Sequence, residues 1–218
     1  MTLWKEYFEN SNVERRKFDK WSHYFPIYER YFEKYKNTSL IFWEIGVQQG
    51  GSAQMWNRYF GPNALIIGLD IDPACASRYD SSQVKIRIGD QSDTVFLQNV
   101  IDEFGYPDIV LDDGSHKMSD VNTTFKYLYP KISRTGIYMI EDMCCSYWPD
   151  FQGGVDVPDS VVNISKGHID KLTAHWSNGG VEPDWFTDNT RCISYFDSVI
   201  VYERGRQLKV RRDWSDQK

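Results

Sequence analysis

The chain has 218 residues, 41% of them hydrophobic and 26% charged, which is enough for one domain with a substantial core and too few for two comfortable ones. A net charge of −6 with no Lys/Arg block argues against binding to nucleic acid backbones, and no apolar run is long enough to span a bilayer. The opening MTLWKEYFENSNVERRKFDKW has no apolar core of the kind a secretion signal needs, so a cytoplasmic protein is expected, with Cys75, Cys144, Cys145 and Cys192 as free thiols.

Residues 1–38 carry aromatics at mixed helical spacing, among them Trp21, Tyr24, Tyr28, Tyr31 and Tyr35, and read as one or two short helices ahead of a main domain spanning 39–218. This segment could join copies into a homo-oligomer or cover an active site; its residues leave both open. From residue 40 strands and helices alternate: strands over 40–47, 64–70, 84–90, 108–114 and 136–142, with helices over 52–60, 94–105 and 118–132. Residues 143–163 lose this period and read as a long functional loop; a weak helix over 164–177 and a second loop over 177–189 follow. CISYF and VIVYER, joined by a tight turn at Asp197-Ser198, complete the chain. The expected fold is α/β: a doubly wound, Rossmann-like sheet of seven strands, mostly parallel with the last antiparallel, covered by helices on both faces.

The strand ends carry the chemistry. After the first strand, EIGVQQGGS (44–52) places Gly46, Gly50 and Gly51 where backbone amides can approach a ligand at a helix N-terminus. The spacing is neither the dinucleotide fingerprint nor a phosphate-binding P-loop. Asp70 closes the second strand, where a ribose would accept a carboxylate, and Asp90 closes the third in GDQSD. The fourth strand, DIVLDDGSH, ends in Asp112, Asp113 and His116, and the fifth, GIYMIED, ends in Glu141 and Asp142. Carboxylates converging in this way repel one another unless protons or a divalent cation neutralise them, so the sequence raises the question of a metal. Tyr147 and Trp148 follow the acidic pair, and Trp176 and Trp185 lie on or beside the second loop. Sugars stack their CH faces on such rings, although packing of loops onto the core explains any one of them equally well. His168 and His175 fall on the weak helix and read as structural or exposed.

Through the E-x-G-x-x-x-G turn and the GLD and GD strand endings, residues 40–205 resemble the class I S-adenosylmethionine-dependent methyltransferases. More narrowly, EIGVQQGGSAQMW, GLDIDP, GDQSD, DDGSH and IEDMCCSYWP together are similar to the metal-dependent sugar O-methyltransferases of macrolide and surface-glycan pathways. The resemblance implies that Gly46 and its neighbours Glu44, Gly50 and Ser52 face the methionine part of the cofactor, Asp70 the ribose, and Asp90, Gln91 and Ser92 the adenine edge. It also implies Asp113, Glu141 and Asp142 as Mg²⁺ ligands and His116 as general base, with Asp112 outside the metal set and bonded to cofactor or backbone amides. The expected activity is methyl transfer to a sugar hydroxyl of a glycan, nucleotide sugar or glycosylated metabolite. Three competitors stand beside it: a catechol-like phenol acceptor, a hydroxylase-type enzyme, and a binding module without turnover. A hydroxylase would need a flavin or a redox metal, and no set of two histidines and one carboxylate is evident.

Overall fold

The computed structural model describes residues 16–77 and 81–205. Seven strands form one sheet: β1 (Leu40–Ile45), β2 (Ala64–Asp70), β3 (Val84–Ile88), β4 (Ile109–Asp112), β5 (Ile137–Ile140), β6 (Thr190–Phe196) and β7 (Val199–Arg204). Their spatial order is β3-β2-β1-β4-β5-β7-β6, parallel from β3 to β5, with β7 antiparallel to both β5 and β6. The expected Rossmann-like sheet with an antiparallel last strand is what forms. Several strands stop short of their expected ends, because Gly46, Gly89, Asp113 and Glu141 leave the ladder and begin the turns at the carboxyl edge.

Both faces of the sheet are buried, and the pleat divides the side chains between them. Phe42, Ile66, Leu111, Met139 and Val201 face one core, which is covered by α1 (Phe25–Phe32) and α2 (Gly51–Phe60). Trp43, Ile67, Val110, Tyr138 and Tyr202 face the other, beneath α3 (Thr94–Phe104), α4 (Met118–Leu128) and α5 (Val161–Leu172). Asp93 caps α3 by accepting from the amides of Val95 and Phe96, and Ser160 caps α5, which therefore starts earlier than expected. That helix stops at Leu172, and the loop beyond it contains a short α6 (Trp185–Asn189) held by an Asp184/Thr187 capping box.

The aromatic N-terminal stretch belongs to the first core. Tyr28 and Phe32 stack at 5.9 Å between centroids, Phe32 meets Trp56 at 5.7 Å, and Trp56 meets Phe42 at 5.2 Å. The part of the first expected helical segment that lies in residues 1–15 falls outside the described residues. Among those that are described, no helix is long and apolar enough to cross a membrane.

His168 is structural rather than exposed. Its ring stacks on Phe186 at 4.7 Å and on Phe125 at 5.5 Å, and Nδ1 lies 3.0 Å from the Tyr202 hydroxyl. Burial pushes its pKa down to about 4, with Asp184 opposing. A histidine holding its proton less tightly when folded loses stability for the protein as pH falls from the free value toward the folded one. Discounted for the part of the ring that meets solvent, this should cost about 1–2 kcal/mol between pH 7 and pH 5. Urea titrations at the two pH values should therefore show His168→Gln losing less stability on acidification than the parent; equal losses would contradict this role.

Candidate active site

The turn after β1 is built for close approach. Gly46 has φ +94°, and a Cβ there would lie 2.1 Å from the carbonyl oxygen of Asp113, so the ends of β1 and β4 touch backbone to backbone. Gly50, at φ +77°, is the N-cap of α2. Asp70 fastens this turn to β2: its Oδ2 accepts from the amides of Val47 (2.8 Å) and Gln48 (3.0 Å), and its Oδ1 accepts from Asp72 (2.9 Å). Burial raises the Asp70 pKa, but these three amide bonds outweigh it and hold the carboxyl below its usual range. Asp90 is held low chiefly by the Ser92 amide and hydroxyl, at 2.7 and 2.8 Å.

Two cavities adjoin at this edge. One of 330 Å³ is lined by Gly46, Leu69, Asp70, Ile71, Asp90 and Gln91, among others. The second, of 210 Å³, is lined by His116, Glu141, Asp142 and the N-terminal residues Asp19, Lys20, Trp21 and Tyr24. Gln48 and Asp113 border both. Gln48, His116 and Asp142 all hold left-handed backbone, at φ +47°, +57° and +52°. Three such residues around one cavity mark the kind of strain that collects at functional sites.

The acidic set is dense and largely buried. His116 Nε2 lies 3.6 Å from Asp142 Oδ2 and 3.9 Å from Asp113 Oδ1, and donor atoms of Asp113, His116 and Asp142 lie within 4.8 Å of one another, a spacing that could hold a metal ion. Behind them, Lys20 Nζ donates to Asp113 Oδ2 at 2.5 Å and Glu141 Oε2 at 3.0 Å, and lies 3.6 Å from Glu44 Oε1. Tyr24 donates to Asp142 Oδ1 at 2.7 Å, and Tyr28 donates to Glu141 Oε1. Burial pushes the carboxyls of Glu44, Asp113 and Glu141 upward, with Lys20 pulling each back. Burial alone would lower Lys20, but Asp113, Glu141 and Glu44 outweigh it and keep the amine protonated.

The remaining sequence-predicted residues divide. Asp112 and Gln91 form a buried bracket: Gln91 Nε2 donates to Asp112 Oδ1 and to Thr124, its Oε1 accepts from the Ser115 amide, and Tyr138 donates to Asp112 Oδ2. Burial pushes Asp112 up to about 6 against the Tyr138 and Gln91 bonds, and Asp112 borders neither cavity. Glu44 is fully buried, accepting from Ser52 (2.8 Å) and Trp56 (3.0 Å), so these residues brace the glycine turn from behind. Trp148 reaches the site through rings, with centroids 6.0 Å from Phe151, which is 6.1 Å from His116. Tyr147 lies beside it, half exposed. Trp176 and Trp185 are not brought to the site. Arg204 at the far end of β7 stacks over Trp185, and a His175–Asp188 contact of 2.9 Å ties the Trp176 turn to α6, which places both at the amino edge of the parallel strands. Lys20, Tyr24 and Tyr28 are functional candidates that motif reasoning passes over.

The chain is 40% identical over 199 residues to 8-demethyl-8-alpha-L-rhamnosyl tetracenomycin-C 2'-O-methyltransferase of Streptomyces olivaceus, a match covering 86% of this chain and 52% of that protein. It is 34% identical over 197 residues to mycinamicin VI 2''-O-methyltransferase of Micromonospora griseorubida, covering 84% and 49%. A solved structure of the MycE methyltransferase of the mycinamycin biosynthetic pathway, in complex with Mg, SAH and mycinamycin VI, matches with a TM-score of 0.81 at 31% identity, over 97% of this chain and 56% of that one. The chain is a homologue of sugar O-methyltransferases with the class I methyltransferase fold. It spans about half the length of these sugar O-methyltransferase relatives. No protein-family model matches it.

Proposed function

We propose that this chain transfers a methyl group from S-adenosylmethionine to a sugar hydroxyl, the sugar being carried on a glycosylated small molecule of polyketide type. The observation that carries this reading is the pair of cavities sharing Gln48 and Asp113, one behind the glycine turn and one around His116 and the acids. The relatives named above are by name O-methyltransferases of a rhamnosyl tetracenomycin and of mycinamicin VI, and the MycE structure holds Mg and SAH.

Gly46, Asp70 and Asp90 line the cavity assigned to the methyl donor, whose sulfonium supplies an activated methyl group. The acceptor enters the second cavity, and its hydroxyl stands between His116 and the shared wall. A sugar hydroxyl is a poor nucleophile while protonated. His116 Nε2 takes that proton as the new O–CH₃ bond forms and the C–S bond breaks, giving a methyl ether and S-adenosylhomocysteine. The donor set suits a hard divalent ion: Asp113 and Asp142 would hold Mg²⁺, with Glu141 alongside through lone pairs that its two protein donors leave over. Such an ion supplies orientation and acidification of the acceptor hydroxyl. Magnesium's preference for oxygen leaves the His116 nitrogen for the proton. We further propose a cytoplasmic location, supported by four cysteines that no disulfide joins.

The test is a transfer assay with rhamnosylated polyketides and macrolide glycosides, read by mass spectrometry. Product should form with Mg²⁺, vanish with chelator and return with excess Mg²⁺. Turnover that ignores chelator would remove the metal, and methylation of catechols but of no glycoside would replace the acceptor class.

A further inference from the structure

Lys20 lies just ahead of the 3-10 turn Ser22–Tyr24, and Tyr24 and Tyr28 follow it in that turn and in α1. Together they donate to Asp113, Glu141 and Asp142. Lys20 is the charged tooth of this comb. Only 3% of its side chain is exposed, and its ammonium lies against oxygens of Asp113, Glu141 and Glu44. The oxygens nearest His116 are different ones, Asp113 Oδ1 and Asp142 Oδ2. The acidic site thus has an inner side, filled by an amine from the protein, and an outer side turned toward His116 and the cavity.

We propose that Lys20 is a resident cation of the active site: it stays on Glu44, Asp113 and Glu141 through the catalytic cycle while a divalent ion takes the outer oxygens. This inference rests on the metal-assisted reading above. Charge balance supports it. The four carboxylates of Glu44, Asp113, Glu141 and Asp142 are matched in full by one ammonium, one divalent ion and the donor's sulfonium. Without the amine the loaded site keeps an excess negative charge, and buried carboxylates answer such an excess by taking up protons or moving apart. Lys20 is on this view a positioning residue. It also anchors the stretch from Asp19 to Tyr24 against the acceptor cavity, which Asp19, Trp21 and Tyr24 line.

The competing account makes the amine a placeholder that the metal expels. Reductive methylation of the full chain, mapped by peptide mass spectrometry, separates the two. Lys20 should resist labelling both without and with saturating Mg²⁺ and S-adenosylhomocysteine, while the exposed Lys34 is labelled in both; labelling of Lys20 that rises on adding Mg²⁺ overturns the proposal. Electron paramagnetic resonance of added Mn²⁺ reports separately whether the parent chain binds a divalent ion at all, so failure of the metal-assisted reading is seen apart from failure of the role given to Lys20. Lys20→Met should lower kcat by about 10-fold or more, with KM for S-adenosylmethionine changed less, because Asp113 and Glu141 lose the ammonium that donates to them while Glu44 keeps its bonds to Ser52 and Trp56. Adding Glu44→Gln, which removes one of the buried carboxylates that the ammonium no longer offsets, should restore part of the lost melting temperature and serves as the measured variant if Lys20→Met does not fold. Parental kcat and Mn²⁺ affinity in Lys20→Met, or no recovery of melting temperature in the double variant, would overturn the assignment.

Discussion

Replacing His116 with asparagine should lower the rate of methyl transfer by about 10²-fold or more. Asparagine tolerates the left-handed backbone at this position (φ +57°) and keeps a polar side chain beside Asp113 and Asp142, so the change removes the proton acceptor with little added strain. His116 borders the second cavity and not the one behind the glycine turn, so affinity for S-adenosylhomocysteine should stay close to the parent's. Single-turnover rates together with calorimetry check both halves. Parental turnover in the variant would remove His116 from the chemistry, whereas joint loss of turnover and of product binding would make its role structural.

Among the described glycines, Gly46 should be one of the most damaging to replace with alanine. Its Cβ would meet the Asp113 carbonyl oxygen at 2.1 Å, and backbone cannot swing aside as a flexible side chain can. Left-handed strain and overpacking together should cost about 3 kcal/mol. The harm is also local, because Gly46 and Asp113 are the contact between the two cavities: separating them moves the donor turn away from the acid that borders both. Thermal melts and S-adenosylhomocysteine titrations should show lower stability and lost binding. A variant with parental melting temperature and affinity would show that the β1–β4 contact does not set the site.

Much of this arrangement is legible in the chain. Apolar runs alternating with helical segments fix a parallel sheet, and a parallel sheet delivers every strand's carboxyl end to one edge. That is why Gly46, Asp70, Asp90, Asp113, His116, Glu141 and Asp142 group together from the chain alone, and each of them borders at least one of the two cavities. What stays hidden depends on long-range partners. The four-residue recurrence of Lys20, Tyr24 and Tyr28 is visible, but the acids that Lys20 serves lie 93 and 121 residues away, and nothing local pairs them. Asp112 has the residue type of a ligand, yet it borders neither cavity and accepts from Gln91 and Tyr138, which only the packing of the sheet reveals. Trp176 and Trp185 suit a sugar site by type alone. The helix α5 precedes them, and Thr187 of α6 donates to the Lys171 carbonyl near its end while Arg204 covers Trp185, at the edge away from the cavities.

The cavity behind the glycine turn is the one proposed to receive the methyl donor. Isothermal titration of the chain with S-adenosylhomocysteine tests it without knowledge of the acceptor. Saturable binding at one site per chain is expected, retained in His116→Asn and lost in Gly46→Ala; no binding to the parent chain would remove the donor from this cavity.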